Sequence, residues 1–125
     1  MRLLMLIVAL LMSAAVPSVA GPFEEASVAY HKGDYPTALR LWGPLADKGD
    51  PFAQFYLGVM YRFGRGVPQD YVKAHVCFTL AVAGFDKFEE YERATAVIAR
   101  EFVVDNMTPA QLAEAQKLAR EWKPK

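Results

Sequence analysis

The chain is short of cysteine, short of histidine, and carries no excess of charge. It has one Cys and two His in 125 residues, and 14 basic side chains balance 14 acidic ones. A single cysteine excludes an intramolecular disulfide framework and a multi-cysteine zinc site. The charge balance argues against a nucleic-acid binder, which usually carries a basic stripe. No stretch alternates apolar and polar residues for long enough to make a strand. There is no glycine-rich phosphate loop and no nucleophile elbow. Charged residues at 22% with aromatics at 13% argue against disorder. One small domain with a modest core fits these limits, with or without a targeting segment.

Long apolar runs are also scarce, and the exception is N-terminal. Met1-Arg2 gives a short positive start, and Leu3 to Met12 is unbrokenly apolar. Ala14, Ala15 and Val16 extend the run before Pro17 breaks any helix. Ser18-Val19-Ala20 then supplies the small residues of a cleavage site. Residues 1–20 are therefore expected to be a secretory signal peptide cleaved after Ala20. The product, residues 21–125, is expected to be periplasmic or secreted. The run is short for about 30 Å of hydrocarbon, so membrane contact is expected only through an uncleaved signal, if at all. No cysteine follows the small residues, which excludes a lipoprotein anchor.

Beyond the leader the apolar spacing is helical between turn signals. The turns fall at Gly33-Asp34, Gly49-Asp50-Pro51, Gly64 to Pro68, Gly84 and Asp105-Asn106. Ala38, Leu41, Trp42, Leu45 and Ala46 line one helical face, with Pro44 expected to kink or break it. Ala53, Leu57, Met60 and Tyr61 form the next stripe, after Asp50 as cap and Pro51 at the first helical position. Tyr71, Ala74, Cys77, Phe78 and Ala81 form another. Asp86 and Glu89 have capping-box spacing ahead of Phe88, Tyr91, Thr95, Ile98, Phe102 and Val103. Thr108-Pro109-Ala110-Gln111 opens a last helix, 108–122, whose apolar face is Leu112, Ala115, Ala119 and Trp122. The expectation is all-α: six helices in about three hairpins. Tyr35-x-x-Ala38-x-x-x-Trp42 recurs about 36 residues on as Tyr71-x-x-Ala74-x-x-x-Phe78, the period of a short α/α solenoid.

From Ala53 the chain reads Ala-Gln-x-x-Leu57-Gly58-x-x-Tyr61-x-x-Gly64-x-Gly66-Val67-x-Gln69-Asp70-Tyr71-x-x-Ala74. This order resembles the Sel-1-like repeat, a relative of the tetratricopeptide repeat, and bacterial members in particular. The full resemblance runs from Ala53 to Gly84. Before it lies a shortened unit, and after it a degenerate unit with a capping helix. Leu57, Gly58, Tyr61, Gly64, Gly66, Val67, Tyr71, Ala74, Phe78 and Ala81 have scaffold roles in this reading. Gly58 permits close helix approach, and Gly64 and Gly66 can take positive φ.

The helix from Pro51 to Phe63 carries a second apolar row, Phe52, Phe55, Val59 and Phe63, joined by Arg62. The resemblance implies that this face lines a concave peptide-binding groove, with Glu24, Val28 and His31 alongside. A helix apolar all round can equally be covered by a neighbouring hairpin or a second copy of the chain. Cys77 reads as a small buried hydrophobe, or as an intermolecular disulfide after export. His75 and Cys77, two apart on a helix, face different directions and make a poor nucleophile–base pair. No metal, cofactor or catalytic residue is expected. The expected function is a non-catalytic protein–protein interaction module acting on an unidentified protein or peptide, with no nucleic acid. The alternatives are a self-associating homo-oligomer and, further off, a cell-wall or β-lactam-related hydrolase, whose repeat relatives depend on paired cysteines that this chain lacks.

Overall fold

The structure is a computed structural model in which residues 20–125 are described. The signal-peptide reading lies outside the described residues except for Ala20. Six helices and no strand make up the described part: α1 Pro22–His31, α2 Tyr35–Asp47, α3 Pro51–Phe63, α4 Tyr71–Gly84, α5 Glu90–Val104 and α6 Pro109–Glu121. The protein is a short all-α stack of helical hairpins.

Local chemistry sets most helix starts. The Asp34 carboxylate accepts from the Thr37 amide at 3.3 Å. Asp50 accepts from Phe52 and Ala53 at 2.9 and 3.2 Å, and Asp70 from Lys73 at 3.0 Å. Thr108 and Gln111 form a reciprocal capping box. Each such cap stabilises its helix by about 1 kcal/mol. Proline sits in the first turn of α1, α2, α3 and α6, where a missing amide proton costs nothing.

Two expectations about helix ends are corrected. α2 runs on through Pro44 to Asp47 without a break. The proline lies in the last turn, and burial of Trp42 and Ala46 on either side holds the backbone helical. At Asp86 only half of a capping box forms, one turn too early to cap α5. The Glu89 carboxylate accepts from the Asp86 amide, and Asp86 accepts from Phe88. They shape the turn, while α5 begins at Glu90 with no side-chain cap. Arg93 reaches back to donate to the carbonyls of Phe85 and Asp86, tying α5 to the end of α4.

The hairpins α1–α2 and α3–α4 pack face to face, and α2 packs on α3. Their core centres on Trp42, fully buried and stacked on Tyr56 at 4.7 Å between ring centroids. α3 and α4 meet at Gly58, whose missing Cβ leaves room for the ring of Phe78. The turn between them uses Gly64 at φ 66 and Gly66 at φ 73. Gly66 is further constrained because a Cβ there would stand 2.8 Å from that of Tyr35. Val67 folds from this turn onto the first core.

The third hairpin is built differently. α5 and α6 both pack on α4 and scarcely touch each other. The chain beyond α6 reaches back to the end of α2, where the Lys125 amide donates to the Asp47 carbonyl at 2.8 Å. On α5 the inward residues are Ala96, Ala99 and Val103. The larger row faces outward instead: Tyr91, Ile98 and Phe102 are 81%, 58% and 53% exposed, and Phe88 in the turn before α5 is 84% exposed. Small side chains let α5 lie close to α4, and the larger row is left outside.

Candidate functional site

The candidate site is the face shared by α1, α3 and α5. Its N-terminal half is aromatic and half-buried. Phe23 of α1 lies 6.2 Å from Phe52 and 5.9 Å from Tyr56 of α3, centroid to centroid. Phe52 meets Phe85 edge-on at 5.0 Å. Phe55 leans on Phe78 at 5.6 Å, and Val59 packs beside it against the α4–α5 core. A cavity of about 260 Å³ opens here, with Phe52, Phe55 and Tyr56 on one side and Tyr91, Glu92 and Thr95 on the other.

The C-terminal half of the face alternates rings and guanidinium groups. Arg65 lies over the rings of Tyr30 and Phe63 at 5.7 and 4.8 Å. Arg62 lies over Phe63 and Phe102 at 4.7 and 5.3 Å. Arg65 also donates to the Tyr30 hydroxyl. The sequence Tyr30–Arg65–Phe63–Arg62–Phe102 thus bridges α1, α3 and α5. Among the described residues neither arginine pairs with a carboxylate. Stacked cations of this kind gain about 0.5–1 kcal/mol each at exposed sites, and they keep their outward N–H groups free.

The residues singled out in the sequence are thus distributed unevenly. Phe52, Phe55 and Val59 are half-buried between neighbouring helices, whereas Phe63 is 49% exposed. Val28 is exposed on α1, and Glu24 sits in its exposed first turn. His31 ends α1, its Nδ1 2.7 Å from the Ser27 carbonyl oxygen. The α1 side chains that touch the α3 face are Phe23 and Tyr30, which the sequence reading did not place there. Tyr56, Arg65, Tyr91 and Phe102 were also absent from the expected set. The α5 residues had a visible signal, an outward row at helical spacing. Nothing local distinguishes such a row from a core stripe.

Among the described residues His75 and Cys77 do not form a nucleophile–base pair. His75 and Cys77 open into different spaces: His75 lines a cavity with α5 and α6, and Cys77 one with α2, α3 and α6. Burial pushes the Cys77 thiol up to about 12, the wrong direction for a nucleophile. Among the described residues no cluster of His, Cys, Asp and Glu could hold a metal ion. Also among them, no helix is long and apolar enough to cross a membrane.

An all-helical hairpin stack with an aromatic face defines a class of repeat scaffold. The family model of the Sel1 repeat matches residues 51–84, which span α3, the glycine turn and α4. That match supports the Sel1-like reading of the stretch. No curated protein and no solved structure matches the chain. Sel1 repeats mediate protein–protein interaction in general and are typically non-catalytic.

Proposed function

We propose that residues 21–125 are exported to the bacterial envelope, after removal of residues 1–20, and act there as a non-catalytic protein-interaction module. The α1–α3–α5 face is the recognition surface in this reading. The observation that carries it is the ring–guanidinium row from Tyr30 to Phe102, continued along α5 by Ile98 and Tyr91. Exposed aromatic and arginine side chains are the groups that dominate protein interfaces. Exposed apolar side chains grouped on one face mark interaction sites. Two guanidinium groups without carboxylate partners favour a polypeptide that brings acidic as well as apolar side chains.

The test is cross-linking capture in the intact cell, comparing wild type with Arg62→Glu and with Phe63→Ser/Phe102→Ser. Phe63 and Phe102 are exposed and Arg62 is only half-buried, so the fold should survive. A partner captured by wild type and lost from both variants supports the reading. Capture that is indifferent to both variants removes the face from consideration.

Self-association is the second reading, favoured by Phe88 before α5 and the outward row Tyr91, Ile98 and Phe102 on it. An array this short leaves a large apolar end surface, which a second copy could cover. Sedimentation at several concentrations separates the two, since a strict monomer rules out the second.

A further inference from the structure

The splayed third hairpin leaves a wedge between α5 and α6, floored by α4. The wedge holds a cavity of about 690 Å³, a volume that suits a small organic molecule. It lies among α4, α5 and α6, a different helix set from the aromatic face.

His75 lies in its floor. It is 5% exposed, although polar side chains so buried are normally hydrogen-bonded. Nδ1 has only a long contact, 3.4 Å to Oγ1 of Thr79. Nε2 has no hydrogen-bond partner among the described residues, and it is not one of the sealed orphan atoms. Burial and the neighbouring Arg100 lower the His75 pKa. Both favour the neutral ring, and Nε2 is left without a protein partner among the described residues.

The walls carry an imbalance of charge. Arg100 comes from α5 and Arg120 from α6, against one carboxylate, Glu101. Arg100 is held only loosely, its Nε 3.8 Å from the Glu101 carboxylate. Arg120 has no ion pair among the described residues. Leu80, Val104 and Leu112 give the wedge an apolar side, next to the polar Thr79 and Gln116.

We propose that this wedge binds a small amphipathic carboxylate. Its head lies among Arg100, Arg120 and His75, and its hydrocarbon body lies on Leu80, Val104 and Leu112. The planar guanidinium fork matches a carboxylate. Glu101 at the rim disfavours a doubly charged phosphate. The apolar walls disfavour a head without a body.

The test is titration of the full chain with octanoate, followed by amide chemical shifts, with acetate and octanamide as controls. Octanoate should bind saturably, with the largest shifts at Thr79, Leu112 and Gln116. Octanamide, and the variants Arg120→Gln and Arg100→Gln, should each weaken binding about tenfold, the worth of one charged hydrogen bond. Arg120 is exposed, so its variant should fold. Acetate should fail to saturate in the same range. The proposal is overturned if octanoate shifts no wedge residue. It is overturned equally if octanamide binds as well as octanoate, or if both arginine variants bind like wild type.

Discussion

Gly58 and Phe78 are in contact across the α3–α4 interface, so close that a Cβ on the glycine would stand 2.6 Å from Cε1 of the ring. Phe78 is fully buried, so its ring has little room to retreat. Alanine is the better helix former by about 1 kcal/mol, yet overpacking costs about 1–3 kcal/mol. Gly58→Ala should therefore destabilise the protein on denaturant unfolding. Adding Phe78→Leu should recover part of the loss. A Gly58→Ala variant as stable as wild type would mean that α3 and α4 can separate without penalty.

Cys77 should be slow to react in the folded state. Its thiol is pushed up to about 12 by burial, so little thiolate forms at neutral pH. Iodoacetamide should label it far more slowly in buffer than in denaturant. Equal rates would place the thiol at the surface and reopen the intermolecular disulfide.

His75 should make stability fall in mild acid. Burial is the main cause of its lowered pKa, and Arg100 adds to it against the opposing charge of Glu101. Arg120 of α6 lines the same cavity. Because the folded value is depressed, the unfolded chain binds more protons once pH drops below about 6.5. The histidine contribution is constant above that pH and is lost progressively as pH falls toward the folded value. His75→Gln should flatten the stability difference between about pH 7 and pH 5. The comparison is made on unfolding midpoints of the two proteins. Parallel curves would mean that His75 is solvated like a surface residue.

Surface and core residues of α5 should respond oppositely. Tyr91→Ser and Ile98→Ser should change stability by no more than about 0.5 kcal/mol, as exposed substitutions do. Val103→Ala, at a fully buried position, should cost on the order of 1–3 kcal/mol. Thermal unfolding of the three variants reads this directly. A large loss from Tyr91→Ser would show that the outward row is covered.

Much of the fold could be read from the chain because its signals are local. Asp50-Pro51, Asp70 and Thr108-Pro109-Ala110-Gln111 satisfy or omit amide donors within one turn of themselves. The glycines at 64 and 66 sit where the backbone turns left-handed. Pro44 did not break α2, because burial of Trp42 and Ala46 outweighed the amide donor it removes. Asp86 and Glu89 made only half of the expected box, since the Asp86 carboxylate took the Phe88 amide, and the helix began a turn later, where Arg93 could hold the end of α4.

By itself the sequence determined the helices, the caps at Asp50 and Thr108, the repeat and the residue types available for recognition. Those depend on interactions within a few residues, and on a periodicity that any helix displays. Only the tertiary structure decided which apolar row faces inward. On α5 the small residues Ala96 and Ala99 won the interface, because close helix packing excludes the larger Tyr91, Ile98 and Phe102. Tertiary structure also brought Arg62 and Arg65 between rings from three helices, and set His75 in a wedge with arginines from two others. Such groupings depend on the angles at which helices cross, and those angles are fixed by side chains far apart in the chain.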